Sequence, residues 1–212
     1  MKRFHPRLCI GIPVMTAALL FFLVGMLPGA IQVAAPAYPP RTISGGTVVA
    51  QLHVSAGTVD QVEILQGEEP FSDSVRTTLP TWRLDASTSG NVLVVVNFRT
   101  PNLYSTGSPA LRFSPGQIPK GGLPYPTKVV EPVYPANSMA EGGAVFAVRV
   151  NRSGEVSKVS VLQGLGDITE ACIAAIKKWQ FQAASGADSF GESDVFAICV
   201  VRRPVLIKKA PQ

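Results

Sequence analysis

Few side chains in this sequence could do chemistry, and their types and spacing decide what kind. His53 is the only histidine beyond residue 33, and Cys172 and Cys199 are the only cysteines there. His53 falls at the opposite parity to Leu52 and Val54 on an alternating stretch, which turns it to solvent, and no neighbour equips it as a general base. Asp167 and Glu170 open a helical segment, where carboxylates complement the helix dipole without any catalytic role. One histidine and no Cys-x-x-Cys pair fall short of a zinc set. Gly57, Gly67, Gly154 and Gly164 lie at turns rather than at a helix start, so they build no phosphate loop. Cys172 and Cys199 are compatible with a disulfide or with two buried thiols, and the matching residues of an internal copy, Val75 and Val96, show that the positions take small apolar side chains. No catalytic, cofactor-binding or metal-binding residue is therefore expected, and the chain is not expected to be an enzyme.

Charge and hydropathy point to an exported protein. Lys2, Arg3, Arg7, Lys208 and Lys209 carry as many positive charges as the net +5 of the whole chain, so the remainder is neutral and a nucleic-acid face is not expected. Arg202-Arg203 with Lys208-Lys209 makes a small basic end, read as a solvated edge. Residues 1–7 form a basic head, and Leu8 to Leu27 follows without a charge. Such a run spans about 30 Å as a helix, the thickness of a bilayer core. The positive-inside rule then keeps the head in the cytoplasm and exports everything after Val33. Residues 8–33 are thus read as a transmembrane anchor in the inner membrane with the C-terminal part periplasmic. The competing reading is a cleaved signal peptide, with Ala35-Pro36-Ala37 as its small-x-small site.

Stepping the chain against itself reveals the elements that hold these residues. Tyr38-Pro39 matches Tyr134-Pro135, and Gly46 matches Gly142. Alternating runs follow, with Val48, Ala50, Leu52 and Val54 in one copy and Ala144, Phe146, Val148 and Val150 in the other, the period of half-buried strands. A glycine turn and a second strand complete a hairpin, closed in both copies by Leu-Gln-Gly, at 65–67 and at 162–164. Each copy then turns helical. Ile168, Cys172, Ala175, Ile176 and Trp179 share a helical face behind Asp167, a candidate cap, and a shorter helix of about Phe71 to Leu79 stands in the first copy. Trp82 and Trp179 are expected to pack in the cores. A last apolar strand closes each unit, at Asn91 to Pro101 and Asp194 to Pro204. The predicted class is α+β, with two ββαβ domains at 38–101 and 134–204, a Pro/Gly-rich tether at 102–133 and a tail at 205–212.

Val130 to Gln182 closely resembles the C-terminal domain of TonB proteins, the energy transducers of Gram-negative envelopes. The pattern is carried by Tyr134-Pro135, Gly142, the hairpin turn at Gly154 and Val156, and the ending formed by Ala175, Trp179 and Phe181. Residues 38–101 resemble the same domain in diverged form. The resemblance implies a ββαβ fold, an inner-membrane anchor, and a periplasmic surface that grips an extended peptide of an outer-membrane transporter by adding it to a sheet edge. The expected edge is the last strand, with Val195, Ala197, Cys199, Val201, Arg202 and Arg203 as candidate contacts. A homodimer through that edge is a competing use. The chain departs from the family in lacking a histidine within Leu8 to Leu27, which is the group that contact with a proton-driven motor complex would use. The alternative reading is a non-energised envelope adaptor or scaffold.

Overall fold

The computed structural model describes residues 31–101, 111–112, 122–182 and 193–204. The basic head and Leu8 to Leu27 lie outside these residues, and no described helix is long and apolar enough to cross a membrane. The elements run β1 (Gly46–Ser55), β2 (Thr58–Gln66), α1 (Phe71–Thr78), a 3-10 turn (Leu79–Thr81), β3 (Gly90–Phe98), β4 (Leu111–Arg112), β5 (Pro126–Val129), β6 (Gly142–Val150), β7 (Val156–Gln163), α2 (Ile168–Ile176), β8 (Gln180–Phe181) and β9 (Ser193–Val201). The α+β class and the two strand-strand-helix-strand units are as expected. Asp167 precedes α2 without capping it, because its Oδ1 instead accepts a hydrogen bond from the Ser138 hydroxyl at 2.9 Å.

The units do not stand apart. They share one six-stranded sheet in the order β2-β1-β3-β9-β6-β7, joined where β3 and β9 run parallel from Leu93↔Val195 to Phe98↔Val200. Within each unit the pairing is antiparallel, β1 with β2 and β3, and β6 with β7 and β9. Because the two central strands are parallel, the axis relating the units lies in the sheet along the strands. The helices consequently cover opposite faces. Val48, Ala50, Leu52, Val94, Val96 and Phe98 pack under Phe71 and Val75 of α1, while Ala144, Phe146, Val148, Ala197 and Cys199 pack under Ile168, Cys172 and Ile176 of α2.

Each core also borrows strands from the other unit. Val145, Ile198 and Val200 complete the α1-side core, and Val49, Leu93 and Val95 complete the α2-side core. This explains why Val49 and Val145 are buried although they oppose the expected core parity. The 102–133 stretch is likewise not a free tether over its described part. Leu111–Arg112 pairs with β5, β5 pairs with β8, and Tyr125, Val129 and Glu131 are buried. Extended segments of this kind accept prolines such as Pro124, Pro126 and Pro132, whose missing N–H groups would interrupt a central strand.

Candidate recognition surface

Two lead-in segments lock the sheet into one body. Each tryptophan turns its ring N–H to a carbonyl of the chain that enters its own unit, Trp82 Nε1 to Ala34 O at 2.8 Å and Trp179 Nε1 to Val130 O at 2.9 Å. The paired tyrosines close the same loop in each copy, Tyr38 Oη donating to Ser44 O at 2.5 Å and Tyr134 Oη to Ala140 O at 2.8 Å. Burial foremost, then the Glu131 carboxylate, raises the Tyr38 phenol above its ordinary range, so it stays a donor. Both tryptophans are in the core as expected; the sequence carried no sign of the carbonyls they hold.

The residues that end β3 and β9 reach across the junction in a reciprocal clasp. Arg99 is 2 % exposed; its Nε donates to Pro132 O at 2.9 Å and its guanidinium lies 5.4 Å over the Tyr134 ring. Burial pushes the Arg99 guanidinium below its usual range, opposed by the buried Glu131 carboxylate. From the other unit, Arg202 donates to Thr42 O at 3.3 Å and lies 4.0 Å from Glu141.

The candidate edge strand is corrected by this arrangement. β9 is hydrogen-bonded on both sides, to β3 and to β6, so it offers no edge. Val195, Ala197, Cys199 and Val201 are all buried, facing α2's side of the sheet; Arg202 is half-buried in the clasp and Arg203 is exposed. Of the family-pattern residues, Tyr134, Ala175, Trp179 and Phe181 are in the α2-side unit's interior, Gly142 and Gly154 take φ of 132° and 83°, and Val156 starts β7. Pro135 accepts a hydrogen bond from Ser138 N at 3.0 Å. Cys172 and Cys199 are buried free thiols in one core; the hydrogen bond that the protonated Cys199 makes to Cys172, followed by burial, holds the Cys199 thiol well above its ordinary range. His53 is exposed, with Nδ1 3.4 Å from Asn91 Oδ1. Among the described residues no three metal-ligating side chains gather.

Among the described residues, the outer strands of the six-stranded sheet are β2 and β7. Each carries a bulge near both ends: Asp60 and Leu65 stand out of register in β2, and Ser157 and Leu162 in β7. The leucine of each Leu-Gln-Gly is therefore the bulged residue that ends regular pairing. Between the bulges, Gln61 to Ile64 and Lys158 to Val161 stay in register. On β7, Val161 points to the α2 side and is 47 % exposed. On its other side a cleft of about 220 Å³ is lined by Ala147, Arg149, Lys158, Ser160, Leu162 and Phe196, together with Ile31; the Arg149 guanidinium pairs with Asp194 at 3.1 Å on its rim. Comparison of the chain with protein-family models, curated proteins and solved structures finds no match in any of the three.

Proposed function

We propose that the protein is an envelope adaptor, anchored in the inner membrane by residues 8–33, whose TonB-like pair of units recognises a protein partner in the periplasm. An extended segment of that partner would add to the β7 edge, with backbone hydrogen bonds supplying affinity and alternate side chains supplying selection. The observation that carries this reading is the position of β7 at the end of the sheet among the described residues, with an apolar Val161 left 47 % exposed on it. The bulges at Ser157 and Leu162 confine pairing to a short stretch, which guards the edge against open-ended aggregation while admitting a short peptide.

Energy transduction in TonB-dependent outer-membrane transport is the second reading, drawn from the motif residues between Tyr134 and Phe181. Two features weigh toward the adaptor. The last strand of each unit is spent on the other unit, and residues 122–133 are packed, which shortens any reach across the periplasm. Capture of the full chain from envelopes tests both readings. Partners held by the wild type and lost with Val161→Glu support recognition at β7; an unchanged partner set sinks it. Co-purification of a proton-driven motor complex would move the assignment to the transducer.

A further inference from the structure

The face of β7 turned to the α1 side is built in rows that run across three strands. Asp194 of β9, Arg149 of β6 and Lys158 of β7 are successive Cα partners, and so are Phe196, Ala147 and Ser160 in the next row. Toward the outer strand the first row therefore reads minus, plus, plus. Arg149 is held by Asp194 at 3.1 Å, whereas Lys158 is exposed and, among the described residues, is joined to no carboxylate. The second row reads large, small, small. Ala147 and Ser160 leave room beside Phe196 and Leu162, which line the cleft with them, and the Phe196 ring is backed edge-on by buried Trp82 at 5.3 Å between centroids. The first unit is the control. At the same places it has Asn91, His53 and Gln61 in one row and Leu93, Gln51 and Glu63 in the other. Long Gln51 and Glu63 side chains stand where the second unit has Ala147 and Ser160, and Gln61 stands where it has Lys158. Room for a large side chain beside an unmatched cation thus belongs to β7 and not to β2.

We propose that the strand β7 selects is both acidic and apolar: on the face turned to the cleft it carries an Asp or Glu opposite Lys158 and, two residues away, a large apolar side chain opposite Ser160. This rests on the recognition of an extended segment at β7 put forward above, and names the chemistry that is chosen there. A strand added to β7 lies about 4.8 Å from it, and residues two apart along it are separated by about 6.6 Å, so the two side chains fall on the two rows. The carboxylate continues the charged row as minus, plus, plus, minus, which relieves the like-charge neighbours Arg149 and Lys158. The apolar side chain leans across short Ser160 onto Ala147 and Phe196 and leaves water. At about 220 Å³ the cleft is smaller than the roughly 300–1,000 Å³ of small-molecule pockets, which suits it to a single side chain. Residues flanking the apolar one turn to the other face, beside Val159 and Val161, and are apolar as well.

The probe is a fluorescently labelled peptide, Thr-Glu-Val-Phe-Val-Glu-Thr, which reads alike in both directions and so meets the rows whether it adds parallel or antiparallel. Its anisotropy is followed against the full chain in detergent. Exchanging both glutamates for lysine should weaken binding about fivefold, and Lys158→Glu should reverse that preference. Exchanging the phenylalanine for alanine should weaken binding about tenfold or more, and Ala147→Leu, which fills the cleft from within, should abolish the advantage of phenylalanine over alanine. A charge preference that Lys158→Glu leaves as it was, or a phenylalanine preference that survives Ala147→Leu, would overturn the proposal. So would a chain that binds none of these peptides yet still captures its envelope partner. With Cys9→Ser and Ser160→Cys, slow maleimide labelling before any peptide is added would overturn it too, by showing the cleft filled from elsewhere; Cys172 and Cys199 are buried. The two readings fail separately. Loss of the envelope partner with Val161→Glu beside flat peptide preferences keeps the edge and rejects the selection, whereas an unchanged partner set beside flat preferences rejects both.

Discussion

Trp82 and Trp179 mark the point where sequence reading stops. Their place at the end of a helix made core packing legible, but the ring N–H of each reaches a carbonyl far upstream, and no local pattern encodes such a bond. Trp82→Phe or Trp179→Phe keeps the ring and orphans the carbonyl, so each should cost about 1–3 kcal/mol in urea unfolding. Cys172 and Cys199 give the opposite expectation. Their counterparts in the first unit, Val75 and Val96, are buried in the same way. Cys172→Val should therefore cost less than about 1.5 kcal/mol, and a reductant should leave the Tm of the wild type unchanged. Arg99 went unnoticed in the sequence because a single arginine after a strand reads as a solvated end. Only the arrival of Pro132 and Tyr134 from the other unit buries it.

Hairpins, helices and turns were legible to within a few residues, because the period of two, the period near four and the glycines are local signals. The role of the last strands was not. Val92 to Val96 and Val195 to Val201 are almost continuously apolar, the mark of strands buried on both faces, whereas an edge strand with one solvated face alternates. That run was the available signal for a central pair, and the family analogy with a free edge overrode it. The lead-ins were missed for a different reason: extended segments rich in proline have no period to read. Gly143 shows how closely one is fitted, since a β-carbon there would run into Ala35. Gly143→Ala should lower stability by about 1–3 kcal/mol by overpacking that contact, measured by the same unfolding curve. The lead-in also bears on processing. A cut after Ala37 would remove the acceptor of Trp82 and the Ala35 contact, so the chain isolated from envelopes should retain residues 31–37 by intact mass.

The molecule as a whole is one body made of two copies. Shared strands in both cores and the reciprocal reach of Arg99 and Arg202 predict a single cooperative unfolding transition, with calorimetric and van't Hoff enthalpies in agreement. Two separate transitions would show the units to be independent. Pairing β3 with β9 spends the strand that the resemblance offered to a partner, and leaves β2 and β7 as the outer strands of the sheet among the described residues. The claim that recognition occurs at β7 rather than at β9 is tested most directly in intact envelopes. A photo-crosslinking residue is placed at Val161 on β7 or at Arg203, the exposed position that follows β9. A protein adduct formed from position 161 and absent from 203 is the predicted result; an adduct from 203 alone would contradict it.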